Sequence, residues 1–338
     1  MNFRDNNYWA LILGGSSGFG LATAHKLAKH GMNLCIVHRD RRASMERING
    51  EFEALRANGI QLVTMNTDAL SPEGRAGVLD QLGESLRESG GSLRLLMHSI
   101  AFGNLKLLTP QDKAPAPAGG AASNGHHDSN GSGGVAVAAR PKAGAAALLA
   151  ARLGVSEELL RDQCNALFEE GHSEFMHVAD EPAYNQELFL EEEDFAATIF
   201  AMGTSLAAYV REISARELFA ADARVIGMTS QGNEVAWRGY AAVSAAKVAL
   251  ESVSRSIAVE YAPRLRSNIV QAGVTDTPAL RLIPGSRHIV AAKQLTHPMG
   301  RITTPADVAG VIALLCTDEA AWINGEIIRV DGGERIAG

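Results

Sequence analysis

The sequence is short of the features that mark secreted, membrane-bound or nucleic-acid-binding chains. It carries three cysteines in 338 residues, Cys35, Cys164 and Cys316. They lie far apart and form no CxxC pair, which argues against a disulfide framework and for reduced thiols in a cytoplasmic protein. No apolar run reaches transmembrane length, and the first residues lack the apolar core of a secretory signal, so no membrane is expected as partner. Positive charge is also in deficit. Lys and Arg number 31 against 38 Asp and Glu, a net charge of −7, which argues against nucleic acid. What the chain does have is apolar content: 46% of its residues are hydrophobic, enough for one large α/β domain or two smaller ones.

The first hundred residues alternate between short apolar runs and helical patterns. Tyr8 to Leu13 reads as a strand that ends in Gly14-Gly15-Ser16-Ser17-Gly18-Phe19-Gly20, and a helix follows from Leu21 to His30. Strand, glycine loop and helix in this order suit dinucleotide binding. Gly14, Gly18 and Gly20 let the backbone turn and approach a ligand, and the helix N-terminus offers free N–H groups to a phosphate. A glycine-rich tight turn is the plainer alternative. The second strand, Asn33 to Val37, runs into His38-Arg39-Asp40. A site that prefers NAD usually places a carboxylate at this strand end. Arg39 suits a 2′-phosphate instead and favours NADPH, while Asp40 keeps NADH open. Further strands are expected at 61–65 and 93–98, with helices at 43–58 and 72–89. This alternation implies parallel crossovers and a doubly wound sheet.

From Pro110 to about Ala147, Ala, Gly, Ser, Asn and Pro dominate. The stretch has too little apolar content to fold and is expected to be flexible. Its His126-His127 pair has no further ligand at useful spacing, so no metal is expected. Helical pattern resumes at 145–153 and at 156–169, with Ser156 as a candidate N-cap. Residues 110–184 together read as an insertion in a single domain. Glu191-Glu192-Glu193-Asp194 reads as a solvated helix start, and 195–219 as one long helix. Strands are expected at 224–228, 267–271 and 326–330, and a helix opened by Thr304 at 305–316.

The chain is organised around Gly239 to Ser254, an Ala- and Val-rich helical stretch carrying Tyr240 and Lys247. Seven positions return to nearly the same helix face about 10 Å along the axis, so both side chains can look into one site. A phenol is a weak acid with an ordinary pKa of about 10. A nearby ammonium favours the phenolate and eases proton donation. The pair alone fits a surface Tyr and Lys on an amphipathic helix equally well.

With these motifs in place, the chain resembles the short-chain dehydrogenase/reductase family, and within it the enoyl-[acyl-carrier-protein] reductases. The resemblance rests on His98-Ser99-Ile100-Ala101-Phe102-Gly103, on six residues between Tyr240 and Lys247 where ordinary members have three, on Ser267 through Thr277, on Pro298 to Arg301 and on Gly325 to Gly333. It covers about 8–108 and 196–333. It implies a Rossmann-type doubly wound parallel sheet with a large, partly disordered insertion. It also implies NADPH-dependent reduction of the trans-2 double bond of an enoyl thioester, carried on acyl carrier protein or CoA, in fatty-acid or related synthesis. In that reaction hydride goes to Cβ and charge appears on the more distant thioester oxygen, so the phenol must stand about one helical turn further away.

By the same resemblance Tyr240 and Lys247 are catalytic, with Ser230 beside them. Gly14, Ser16, Ser17, Gly18, Phe19, Gly20, Arg39, Ser99, Ile100, Ala101, Gly273, Thr275, Thr277 and Lys247 bind cofactor, and Asp68 and Ala69 meet adenine. A homotetramer is implied as well. Two departures stand out. Ser230 occupies the place where many enoyl reductases have a second Tyr, as in the NADPH-using members with a compact glycine loop, and the insertion enters near the substrate side. The rival readings are an oxidoreductase acting on a carbonyl or alcohol, with Ser230 assisting Tyr240, and a non-catalytic NADP(H)-binding regulator.

Overall fold

Each apolar run of the first hundred residues becomes a strand, and each amphipathic stretch between them a helix. The computed structural model describes residues 1–110 and 143–337. Its elements begin with β1 (Tyr8–Leu13), α1 (Gly18–Lys29), β2 (Asn33–His38), α2 (Met45–Arg56), β3 (Leu62–Asn66), α3 (Pro72–Ser89) and β4 (Ser92–His98). Next come α4 (Ala143–Leu153) and α5 (Glu157–Glu170). The remainder is α6 (Glu192–Ile199), α7 (Ser205–Ala215), β5 (Phe219–Ser230), α8 (Ala241–Glu260), β6 (Leu265–Ala272), α9 (Pro278–Arg281), α10 (Ser286–Thr296), α11 (Pro305–Leu315) and β7 (Ile327–Val330). The backbone groups into two compact units, Met1–Leu108 with Pro182–Gly338, and Thr109–Glu181.

In the larger unit the seven strands form one parallel sheet in the order β3-β2-β1-β4-β5-β6-β7. Both faces are covered, which is why the strands read as continuous apolar runs. Ala10 and Ile12 of β1 pack with Leu27 of α1, Phe52 of α2 and Ile312 of α11. Leu11 and Leu13, pointing the other way, pack with Leu79 of α3, Tyr209 of α7 and Leu250 of α8. The strand order reverses between β1 and β4, and a crevice opens at the C-terminal ends of strands at such a switch. Among the described residues, no helix is long and apolar enough to cross a membrane.

The smaller unit holds α4 and α5. Ser156 caps α5, its Oγ accepting from the Leu159 N–H at 3.2 Å, and Glu157 and Glu158 occupy the first turn. Of the stretch read as flexible, residues 111–142 lie outside the described residues, His126 and His127 among them, and Ala143 onward is helical.

Two expectations need correction. The long helix at 195–219 is instead α6, a π-helical turn at Phe200–Thr204, and α7 ending at Ala215, and β5 already begins at Phe219. Close packing against α8 marks this turn: a Cβ on Gly203 would stand 2.8 Å from the Ala246 carbonyl oxygen. Tyr240, read as part of its helix, occupies the N-cap with φ −114° and ψ 3°, and the helix starts one residue later. The acidic run meets its expectation: Glu191 caps α6 in a reciprocal arrangement with Asp194.

Candidate active site

A cleft of about 510 Å³ opens at the switch point. Its first wall is the loop between β1 and α1. Gly14 has φ +86°, and a Cβ there would stand 2.5 Å from the Ser99 carbonyl oxygen, so only glycine lets the loop cross the end of β4 this closely. Ser16, Ser17, Gly18 and Phe19 line the cleft, and no side chain caps the first turn of α1. Its free N–H groups suit a phosphate. Gly20 lies behind the loop rather than in the cleft, where a Cβ would run into the Gly14 carbonyl.

At the end of β2, His38 is buried, its Nδ1 2.9 Å from Asp40 Oδ2 and its ring 5.5 Å from Phe52. Arg39 and Asp40 line the cleft. The Arg39 guanidinium donates to Asp68 Oδ2 at 3.1 Å and lies over the Phe102 ring, 4.6 Å from its centre. Asp68 and Ala69 do not line the cleft themselves. The Asp68 carboxylate is engaged by Arg39 and by the Leu70 N–H, and the Ala69 carbonyl accepts from Tyr209 Oη at 2.9 Å.

Ser99, Ile100 and Ala101 continue the lining from the end of β4, and Gly273, Thr275 and Thr277 from the loop after β6. Thr275 Oγ1 donates to the Gly273 carbonyl at 2.9 Å, and Thr277 caps α9. Just behind, His98 is buried with Nε2 2.8 Å from Ser205 Oγ. Ser205 spends its own proton on the Ala201 carbonyl, so His98 Nε2 is the donor. Burial and the nearby Lys247 push the imidazole down to about 3, so it is neutral.

Ser230, Tyr240 and Lys247 meet in this cleft. Tyr240 Oη lies 3.1 Å from Ser230 Oγ. Lys247 Nζ donates to the Met228 carbonyl at 2.8 Å. Burial pulls the ammonium down to about 8, and Glu251 opposes the shift. The phenol departs from expectation. Burial raises Tyr240 above its ordinary value, and the opposing influence is the Ser230 hydrogen bond, not Lys247. Around Tyr240 the wall is apolar, formed by Leu105, Met202, Trp237, Val243, Leu280 and Ile283. The sequence reading overlooked Trp237, whose ring stands edge-on to Tyr240 at 5.5 Å, and Glu251, whose signal was its place one turn after Lys247. Among the described residues, no group of three His, Cys, Asp or Glu side chains could hold a metal ion.

Known proteins resemble this chain in sequence and in fold. Residues 175–334 match a family model described as enoyl-(acyl carrier protein) reductase. A cis-4-hydroxycyclohexanecarboxylate dehydrogenase of Sinomonas cyclohexanicum is 38% identical over 111 residues, 32% of this chain and 41% of that protein. The chain spans about half or less of the length of the curated relatives it matches, between 41% and 52%. Among solved structures, a short-chain dehydrogenase of Burkholderia cenocepacia in complex with NADP superposes with TM-score 0.63 at 19% identity, covering 98% of this chain and 99% of that one. An enoyl-[acyl-carrier-protein] reductase (NADH) of Aquifex aeolicus gives TM-score 0.63 at 21% identity, covering 98% of each chain. The chain thus shares its fold with solved short-chain dehydrogenases and enoyl-[acyl-carrier-protein] reductases, and its C-terminal part is similar to the enoyl-(acyl carrier protein) reductase model.

Proposed function

We propose that the protein is an oxidoreductase that binds NADPH in this cleft and reduces the trans-2 double bond of an enoyl thioester, on acyl carrier protein or CoA, in fatty-acid or related synthesis. One observation carries the reading: Tyr240 and Lys247, with six residues between them, share a cleft with the glycine loop, and Tyr240 packs within an apolar cluster. An apolar wall beside a single phenol suits an acyl chain whose polar group is its thioester. The description of the matched family model supports the same reading.

The residues present fit a dinucleotide. The tight Gly14 turn and the uncapped start of α1 suit its phosphates, Arg39 a 2′-phosphate, and Lys247 and Thr275 its nicotinamide end. When bound, the nicotinamide supplies the hydride. Tyr240 Oη donates to the thioester oxygen as negative charge develops there, a stabilisation that acts in the transition state and not before it. Ser230 holds the hydroxyl in place. The buried Lys247 holds the nicotinamide ribose, and the apolar wall keeps water out.

A second reading, reduction of a carbonyl or oxidation of an alcohol, is favoured by the 3.1 Å approach of Ser230 Oγ to Tyr240 Oη and by the dehydrogenase relative. The deciding experiment is NADPH oxidation by the purified protein on crotonyl and longer enoyl thioesters, beside a 3-oxoacyl thioester. Turnover of the enoyl substrates is expected. Turnover of the ketone alone would establish the second reading, and nucleotide binding without any turnover would leave a binding regulator.

A further inference from the structure

Behind the wall that carries Tyr240 and Lys247 lies a buried polar network to which the reaction above gives no role. Glu251 is 7% exposed and sits one turn after Lys247 on α8. Its Oε1 accepts from Thr229 Oγ1 at 2.6 Å and from Asn233 Nδ2 at 2.7 Å. Thr229 immediately precedes Ser230 at the end of β5, and Asn233 ends the short turn Gln231–Asn233 that follows. Asn233 Oδ1 in turn accepts from Gln271 Nε2 on β6 at 3.1 Å. A single carboxylate oxygen therefore fastens the strand end of Ser230 and the turn after it to the helix of Lys247. Gly232, inside that turn, lies against the Tyr240 ring so closely that a Cβ would run into it.

A carboxylate this deeply buried needs a counter-charge as well as hydrogen bonds. Lys247, four residues earlier on the same helix face, is the cation at hand. Its ammonium donates to the Met228 carbonyl of β5, the neutral His98 of β4 lies close enough to feel its charge, and Tyr240 lines the same cleft. Among the described residues, Glu251 is the anion acting on Lys247.

We propose that Glu251 is the positioning residue of this site: its carboxylate ties the Ser230 strand end to the Lys247 helix and serves as the counter-charge of the Lys247 ammonium. The proposal rests on the roles given above to Tyr240 and Lys247, and it is tested without relying on turnover alone. Glu251→Gln keeps an oxygen that can accept from Thr229 and Asn233 but removes the charge. In protein carrying 13C- and 15N-labelled lysine, with the Lys247 signal assigned by its loss in Lys247→Met, the wild-type ammonium should titrate near 8. Glu251→Gln should move that midpoint down by about one pH unit. The alkaline fall of kcat/KM should move with it. Glu251→Asp keeps the charge and shortens the reach, so its midpoint should stay while kcat falls about tenfold or more. An unchanged Lys247 midpoint in Glu251→Gln overturns the counter-charge role, whatever happens to its melting temperature. Wild-type kcat in Glu251→Asp overturns the positioning role. If wild-type protein reduces neither an enoyl thioester nor a ketone, the functional reading fails, and the lysine titration still decides whether Glu251 holds Lys247.

Discussion

Ser230 Oγ lies 3.1 Å from Tyr240 Oη, across the ten positions that separate the end of β5 from the N-cap of α8. The contact makes the serine a partner of the phenol itself. Its loss should therefore register differently for different substrates. Tyr240→Phe keeps the ring and removes the donor, and should lower kcat on an enoyl thioester by about a hundredfold or more with little change in nucleotide affinity. Ser230→Ala should cost less on that substrate and more on a matching ketone, whose reacting oxygen is attached to the carbon that receives hydride. Steady-state kinetics of both variants on both substrates check this, and Tyr240→Phe at wild-type enoyl turnover would refute the mechanism.

Arg39 should decide which nucleotide is used. It stands at the end of β2, half-exposed, bonded to Asp68 and stacked on Phe102 beside the cleft. Arg39→Asp replaces attraction for a 2′-phosphate by repulsion. KM for NADPH should rise about tenfold or more while KM for NADH changes little. Equal changes for the two nucleotides would show that Arg39 reads no phosphate.

His98 should make the fold sensitive to acid. Its imidazole is held near 3 in the folded chain, against an ordinary value of 6.5. Between these values the unfolded chain binds a proton that the folded chain does not, so stability falls as pH drops from 6.5 toward 3. Urea unfolding at pH 7, 5.5 and 4.5 should show a falling midpoint, and His98→Asn should flatten the part of that decline belonging to this group. A His98→Asn curve parallel to wild type would exclude it.

Self-association is the expected fate of the outer surface of the π turn and α8. Phe200, Val248 and Val259 are 40%, 48% and 79% exposed, a high apolar content for solvent. Pairing of these helices between subunits would give a homotetramer, which light scattering at micromolar concentration measures directly. Val259→Glu should shift the mass downward. A monomer in the wild type would dismiss the idea.

The sheet was legible because both of its faces are covered, so that strands such as Asn33–His38 and Ser92–His98 read as apolar blocks between amphipathic helices. The glycine loop and the Tyr240–Lys247 pair were legible because local spacing carries them. What escaped depends on contacts across the fold. The π turn at Phe200–Thr204 accompanies the packing of Gly203 on Ala246, which no local propensity records. The phenol is expected to be lowered by Lys247, but sequence cannot show how deeply Tyr240 is buried, and that burial raises it instead. Glu251 carries no local signal beyond its place one turn after Lys247, and only the fold brings Thr229 and Asn233 to it.

The π turn also sets a phase. On one side of it, Thr198 Oγ1 accepts from the Asn104 N–H at 3.0 Å. On the other, Ser205 Oγ meets His98 Nε2 at 2.8 Å. A regular helix advances about 100° per residue, so removing one residue from the turn would swing one of these side chains out of reach while the other stayed in register. The additional residue works like a vernier between two scales. It lets one continuous rod address the loop after β4 and the buried end of β4 at the same time, and a single-residue deletion there should uncouple the two without melting either helix.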